Sequence, residues 1–164
     1  AFGTGTHPST AMCLKALDRF VAPGMRVIDY GCGSGVLGVA AALLGAESVL
    51  CIDNDPQALD ATRANAERNL LEEGTLRSDL PDADVSTWQQ GTDLVVANIL
   101  AGPLEQLAGR LCGFLKPGGV LILAGILESQ AQALLAHYNA LPALTLQLQL
   151  HDQQQEWVCL ATSL

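Results

Sequence analysis

The sequence is short of charge, aromatics and cations. Charged residues make up 15% of its 164 positions and aromatic residues 4%. Eight Lys and Arg stand against seventeen Asp and Glu, for a net charge of −9. The cations are scattered and form no basic stripe, so direct binding to nucleic acid is not expected. No run of about 18 apolar residues occurs, so no membrane span is expected. A secretory signal is not expected either, since Ala1 opens directly in a glycine- and threonine-rich stretch. The five cysteines (Cys13, Cys32, Cys51, Cys112 and Cys159) are odd in number and far apart, with no Cys-x-x-Cys pair. Zinc or any other bound metal is therefore not expected. Most of them sit in apolar runs and read as small core residues, which suits a reducing cytoplasm.

What is present is enough apolar sequence, 49%, for one buried core. The pattern alternates. Thr6 to Phe20 reads as a helix with Pro8 near its start, stopped by Pro23-Gly24. Strands are expected at 26–30, 48–53, 93–98 and 120–124, with a weak one near 75–77. Helices are expected at 36–44, 56–71, 103–115 and 128–141. Two last strands, 144–150 and 156–161, flank a polar turn at 151–155. The stretch from Glu72 to Gln90 is the least legible. Alternating strands and helices imply a mostly parallel sheet covered on both faces, here with an antiparallel hairpin at its C-terminal edge.

Asp29-Tyr30-Gly31-Cys32-Gly33-Ser34-Gly35 follows a strand and opens a helix. Glycines there let the backbone approach a ligand closely, at the end of a parallel sheet where ligands bind. Asp53 ends the next strand, where an acid can hold ribose hydroxyls. The stretch from Gly33 to Gly38 also matches the dinucleotide pattern G-x-G-x-x-G. Asp29 argues against that, because a carboxylate at the loop's mouth repels a pyrophosphate. S-adenosylmethionine carries an ammonium and a sulfonium and no phosphate, so an acid suits it. The competing structural role for Asp29 is a cap on the next helix.

Asn98 ends the fourth strand beside the same crevice. Many nitrogen-modifying methyltransferases follow such a residue with Pro-Pro and an aromatic. Here Ile99-Leu100-Ala101-Gly102-Pro103 comes next, which favours a flexible amine over a planar amide as acceptor. Asn98 would orient that amine; its alternative is to cap the next helix. His7 is equally open to a substrate contact or a place at the helix start. His137 and His151 read as surface residues, and Trp88 and Trp157 as packing.

Five pieces, in order across most of the chain, carry a family resemblance: Phe2-Gly3-Thr4-Gly5-Thr6-His7-Pro8-Ser9-Thr10, the glycine loop, Asp53-Asn54-Asp55-Pro56-Gln57-Ala58, Ala97-Asn98-Ile99-Leu100-Ala101-Gly102-Pro103-Leu104, and Gly125-Ile126-Leu127 with Gln130. Together they resemble the PrmA family, bacterial methyltransferases of large-subunit ribosomal protein eleven. The resemblance implies a class I methyltransferase Rossmann-like fold and S-adenosyl-L-methionine as cofactor. It implies cofactor contacts at Thr10, Gly31, Asp53 and Asn98; Thr6, Gly33 and Asp29 are further candidates, and Asn98 is the candidate catalytic residue. It also implies methylation of lysine side chains and the N-terminal amine of a ribosomal protein of the large subunit. Residues 1–164 are expected to form the catalytic domain alone, as part of a longer protein whose N-terminal substrate-recognition domain is absent from this chain.

Overall fold

The computed structural model describes residues 7–162. Its elements are α1 (Pro8–Phe20), β1 (Arg26–Tyr30), α2 (Val36–Leu43), β2 (Ser48–Ile52), α3 (Pro56–Arg68), β3 (Leu76–Asp79), β4 (Thr92–Asn98), α4 (Ala101–Gln106), α5 (Ala108–Phe114), β5 (Leu115–Leu127), α6 (Glu128–Asn139), β6 (Leu148–Gln154) and β7 (Trp157–Thr162). The strands form one sheet in the order β3-β2-β1-β4-β5-β7-β6. The first five run parallel, and β7 lies antiparallel between β5 and β6. This is the class I methyltransferase-like arrangement expected from the sequence.

Side-chain alternation along each strand divides the core between the two faces. Val27, Val49, Cys51, Leu94 and Val96 pack against Met12, Leu17, Leu37 and Leu59 of α1–α3. Ile28, Leu50, Ile52, Val95 and Leu121 face Leu104, Leu111, Phe114, Leu134 and Tyr138 of α4–α6. Strands buried on both faces read as continuous apolar runs, which explains why β1 and β2 stand where the pattern places them.

Three expectations need correction. The helix over 103–115 is two helices, α4 and α5, broken at Leu107. No Gly or Pro marks that break. Instead, the last carbonyls of α4 take donors from α6. The Tyr138 hydroxyl donates to Leu104 O at 2.5 Å, and His137 Nε2 lies 3.1 Å from Glu105 O. Second, β5 begins at Leu115, and Lys116-Pro117-Gly118-Gly119 bulge out between the Thr92↔Leu115 and Leu94↔Val120 pairs. Third, the hairpin turn is shorter than 151–155. β6 starts at Leu148 rather than at 144 and runs on to Gln154, and Gln155 turns the chain with φ of 57°. Asp152, Gln153 and Gln154 are strand residues that look like a turn because β6 is the sheet's edge and much of it meets water.

Close packing of α2 on β2 depends on Gly38. A Cβ there would lie 2.4 Å from Cys51 Sγ. Gly38→Ala is expected to lower stability by about 1–3 kcal/mol through overpacking. Urea unfolding of Gly38→Ala, Cys51→Ala and the double variant measures this; the double variant should lose less than the two single losses added together.

Candidate methyltransferase site

The order of the sheet places the site. Connections leave β1 and β4 toward opposite edges, so a crevice opens between their carboxyl ends. The loop 31–35 lies on one side and Asn98 on the other. The two sides touch, since a Cβ on Gly31 would come within 2.5 Å of Ile99 Cγ2. Gly31 also has φ of 74°, so both its space and its backbone demand glycine.

The glycine loop spends its amide donors inside the protein. Gly31 and Cys32 N–H both donate to Ile52 O, at 2.7 and 3.0 Å, and Gly35 N–H donates to Cys32 O at 2.8 Å. Gly33 N–H donates to Asp53 Oδ2 at 2.9 Å. A pyrophosphate is held by a nest of free amides. The amides of Gly31, Cys32, Gly33 and Gly35 are already taken, so the geometry opposes the dinucleotide alternative. Asp53 also accepts from Asp55 N–H at 3.0 Å. Each oxygen keeps a further lone pair, and the carboxylate borders the crevice.

Asn98 is only 8% exposed. Its Nδ2 donates to Thr10 Oγ1 of α1 at 3.1 Å, across 88 positions of sequence. Its Oδ1 is buried with no hydrogen-bond partner among the described residues. Leaving a buried acceptor unpaired costs about 1–3 kcal/mol, so such an atom points to a ligand donor. Asn98 does not cap α4: the residue at that position is Leu100, with no side-chain cap.

Asn98 and Gly31 border two spaces. The larger, about 580 Å³, is lined by Tyr30, Gly31, Asp53, Asn54, Pro81, Asn98, Ile99, Leu100, Pro103 and Leu107. The smaller, about 50 Å³, is bounded by Asp29, Gly31, Cys32, Gly33, Val36, Leu37 and Asn98. The larger lies in the range of cofactor pockets and is mostly apolar, with a few placed polar groups. No lining role for Tyr30 was legible in the sequence, though it stands in the glycine-loop motif, and nothing there pointed to Pro81 or Leu107, because separate segments supply them.

The comparisons with known proteins agree with this geometry. The family model described as Ribosomal protein L11 methyltransferase (PrmA) matches residues 1–164. The chain belongs to this family. A Ribosomal protein L11 methyltransferase from Tolumonas auensis is 52% identical over 139 residues, covering 85% of this chain and 47% of the relative. One from Dechloromonas aromatica is 48% identical over 162 residues, covering 98% and 51%. The chain thus spans about half the length of these curated relatives. A crystal structure of ribosomal protein L11 methylase from Lactobacillus delbrueckii subsp. bulgaricus superposes with a TM-score of 0.77 at 30% identity, covering 97% of this chain and 80% of that one.

The cofactor of the PrmA family is S-adenosylmethionine. The residues fit it: the crevice is large enough, its loop is no phosphate nest, and the buried Asn98 Oδ1 has no donor among the described residues. Of the candidate site residues, Gly31, Asp53 and Asn98 line the main crevice, while Gly33 and Asp29 border the smaller space. Thr10 meets them through Asn98, and Thr6 lies outside the described residues. His7 caps α1, its Nδ1 accepting from Ser9 N–H at 3.1 Å, with its ring 4.8 Å from that of Trp157. Trp88 is buried, and the guanidinium of Arg26 lies 4.1 Å from its ring centre.

Asp29 caps a helix as well as bordering the site. It is 1% exposed, and its Oδ2 accepts from Gly38 N–H of α2 at 2.9 Å. Burial pushes its pKa up to about 7, opposed by that hydrogen bond and reinforced by the charge of Asp53. The folded state therefore holds this proton more tightly than the unfolded chain does. The stabilisation is complete below the ordinary carboxylate pKa of 3.8 and is lost as pH rises through about 7. Urea unfolding of the protein and of Asp29→Asn between pH 4 and 8 measures it. The wild-type chain should lose stability relative to the variant as pH rises, by on the order of 4 kcal/mol.

Proposed function

We propose that this chain is the catalytic part of a protein N-methyltransferase that modifies lysine side chains and the N-terminal amine of ribosomal protein L11 of the large subunit. The observation that carries the proposal is the buried Oδ1 of Asn98, which has no hydrogen-bond partner among the described residues and belongs to a side chain that lines both spaces. The shared name of the long relatives supports the protein substrate. So does the net charge of −9, which attracts a basic partner.

When bound, S-adenosylmethionine supplies an activated methyl group for in-line displacement. The chain's own task is placement. Asp53 has lone pairs left for ribose hydroxyls, and the Asp29 carboxylate sits where it favours a cofactor ammonium. Asn98 Oδ1 accepts an N–H of the incoming amine and turns the nitrogen lone pair toward the methyl. Thr10 keeps the amide from rotating away. Ile99, Leu100 and Pro103 form an apolar wall that displaces water around the amine. A free lysine has a pKa near 10.4; desolvation against that wall, beside a positive sulfonium, lowers it. No side chain on this wall is a general base, so the proton passes to solvent.

Incubation with S-adenosylmethionine and a mixture of large-subunit ribosomal proteins, followed by mass spectrometry, tests the proposal. One ribosomal protein should gain methyl groups at lysines and its N-terminus. Asn98→Ala should slow this by about tenfold or more, the equivalent of one lost charge-assisted hydrogen bond. Transfer by Asn98→Ala at the wild-type rate, or methyl groups on oxygen or sulfur, would overturn it.

A further inference from the structure

The crossover from β3 to β4 holds no strand, yet its start forms a wall of the main crevice at Pro81. Arg110 of α5 reaches across and its Nη2 donates to Pro81 O at 2.6 Å. The same guanidinium carbon lies 5.7 Å from the ring centre of Tyr30 and 5.5 Å from that of Phe114. Tyr30 is itself a lining residue of the crevice. One side chain thus fixes two parts of the lining, a loop carbonyl and an aromatic ring, without lining the crevice itself.

Asp29 and Asn98 border the smaller space, which suits charged and reacting groups, while Asp53 and Asn98 line the larger one. Tyr30, Pro81 and Leu107 line the larger space and not the smaller one, and they give it a largely uncharged wall that suits a flat heterocycle. We propose that Arg110 is a positioning residue for the adenine end of the cofactor, acting by holding Pro81 and Tyr30 in place. This rests on the cofactor reading of the crevice. Arg110 is exposed, and its contacts with the lining are at Pro81 and Tyr30, so its removal should act on the base alone. Two more arginine clamps on this crossover, Arg77 Nη2 donating to Asp84 O at 3.0 Å and Arg26 Nη1 donating to Thr87 O at 2.8 Å, lie further along the loop and keep its overall course.

The test compares two ligands by calorimetry on the whole chain: S-adenosylhomocysteine, and 5′-methylthioadenosine, which lacks the amino-acid end. Arg110→Ala should weaken both by the same factor, about tenfold, with an unchanged melting temperature. Arg110→Lys, which keeps a donor and a cation near the ring, should recover part of the loss. If Arg110→Ala does not fold, Arg110→Lys and Arg110→Gln carry the same comparison, with Gln expected to be the weaker binder. Equal affinity in variant and wild type overturns the inference. So does a loss confined to S-adenosylhomocysteine, which would trace the effect to the glycine loop. A wild-type chain that binds neither ligand overturns the cofactor reading instead.

Discussion

The glycine loop is anchored by its own amides at the end of β2. Gly31 and Cys32 share Ile52 O, and Gly33 bonds the Asp53 carboxylate. That anchoring shapes the whole crevice. It turns the amides inward, so the crevice offers no phosphate nest. It sets Asp53 at the crevice's edge with lone pairs to spare. It brings Gly31 against Ile99, so the β1 and β4 ends meet. A side chain on Gly31 would push them apart and open the crevice.

Asn98 and Asp29 show how one face of the sheet serves two ends. Both point to the side that α1 and α2 cover, and both bond one of those helices, Asn98 to Thr10 and Asp29 to Gly38. Structure and function share these side chains. Asp29 is a helix cap whose burial raises its pKa, and it also borders the smaller space. Asn98 ties α1 to β4 with one end of its amide, and the other end has no partner among the described residues. The sheet's opposite face supplies the apolar lining through Tyr30, Pro81 and Leu107.

What was legible in the sequence was what local pattern determines. β1, α2 and β2 are short apolar runs bounded by Gly and Asp, and they lie within a residue of their expected limits. The loop 31–35, Asp53 and Asn98 were placed by their positions at strand ends. What was not legible depends on long-range contact. The break at Leu107 exists because Tyr138 and His137, more than thirty residues on, serve the carbonyls of α4. The 80–91 crossover takes its course from Arg26, Arg77 and Arg110, whose carbonyl partners no short motif encodes. Polar β6 looked like a turn because an edge strand has a solvated face.

A crevice whose loop amides are turned inward should accept S-adenosylmethionine and its product and exclude a dinucleotide. Calorimetric titration of the chain with S-adenosylhomocysteine and, separately, with NAD tests this most directly. Saturable binding of one S-adenosylhomocysteine per chain is expected, with no heat of binding from NAD. Tight binding of NAD with none of S-adenosylhomocysteine would contradict it.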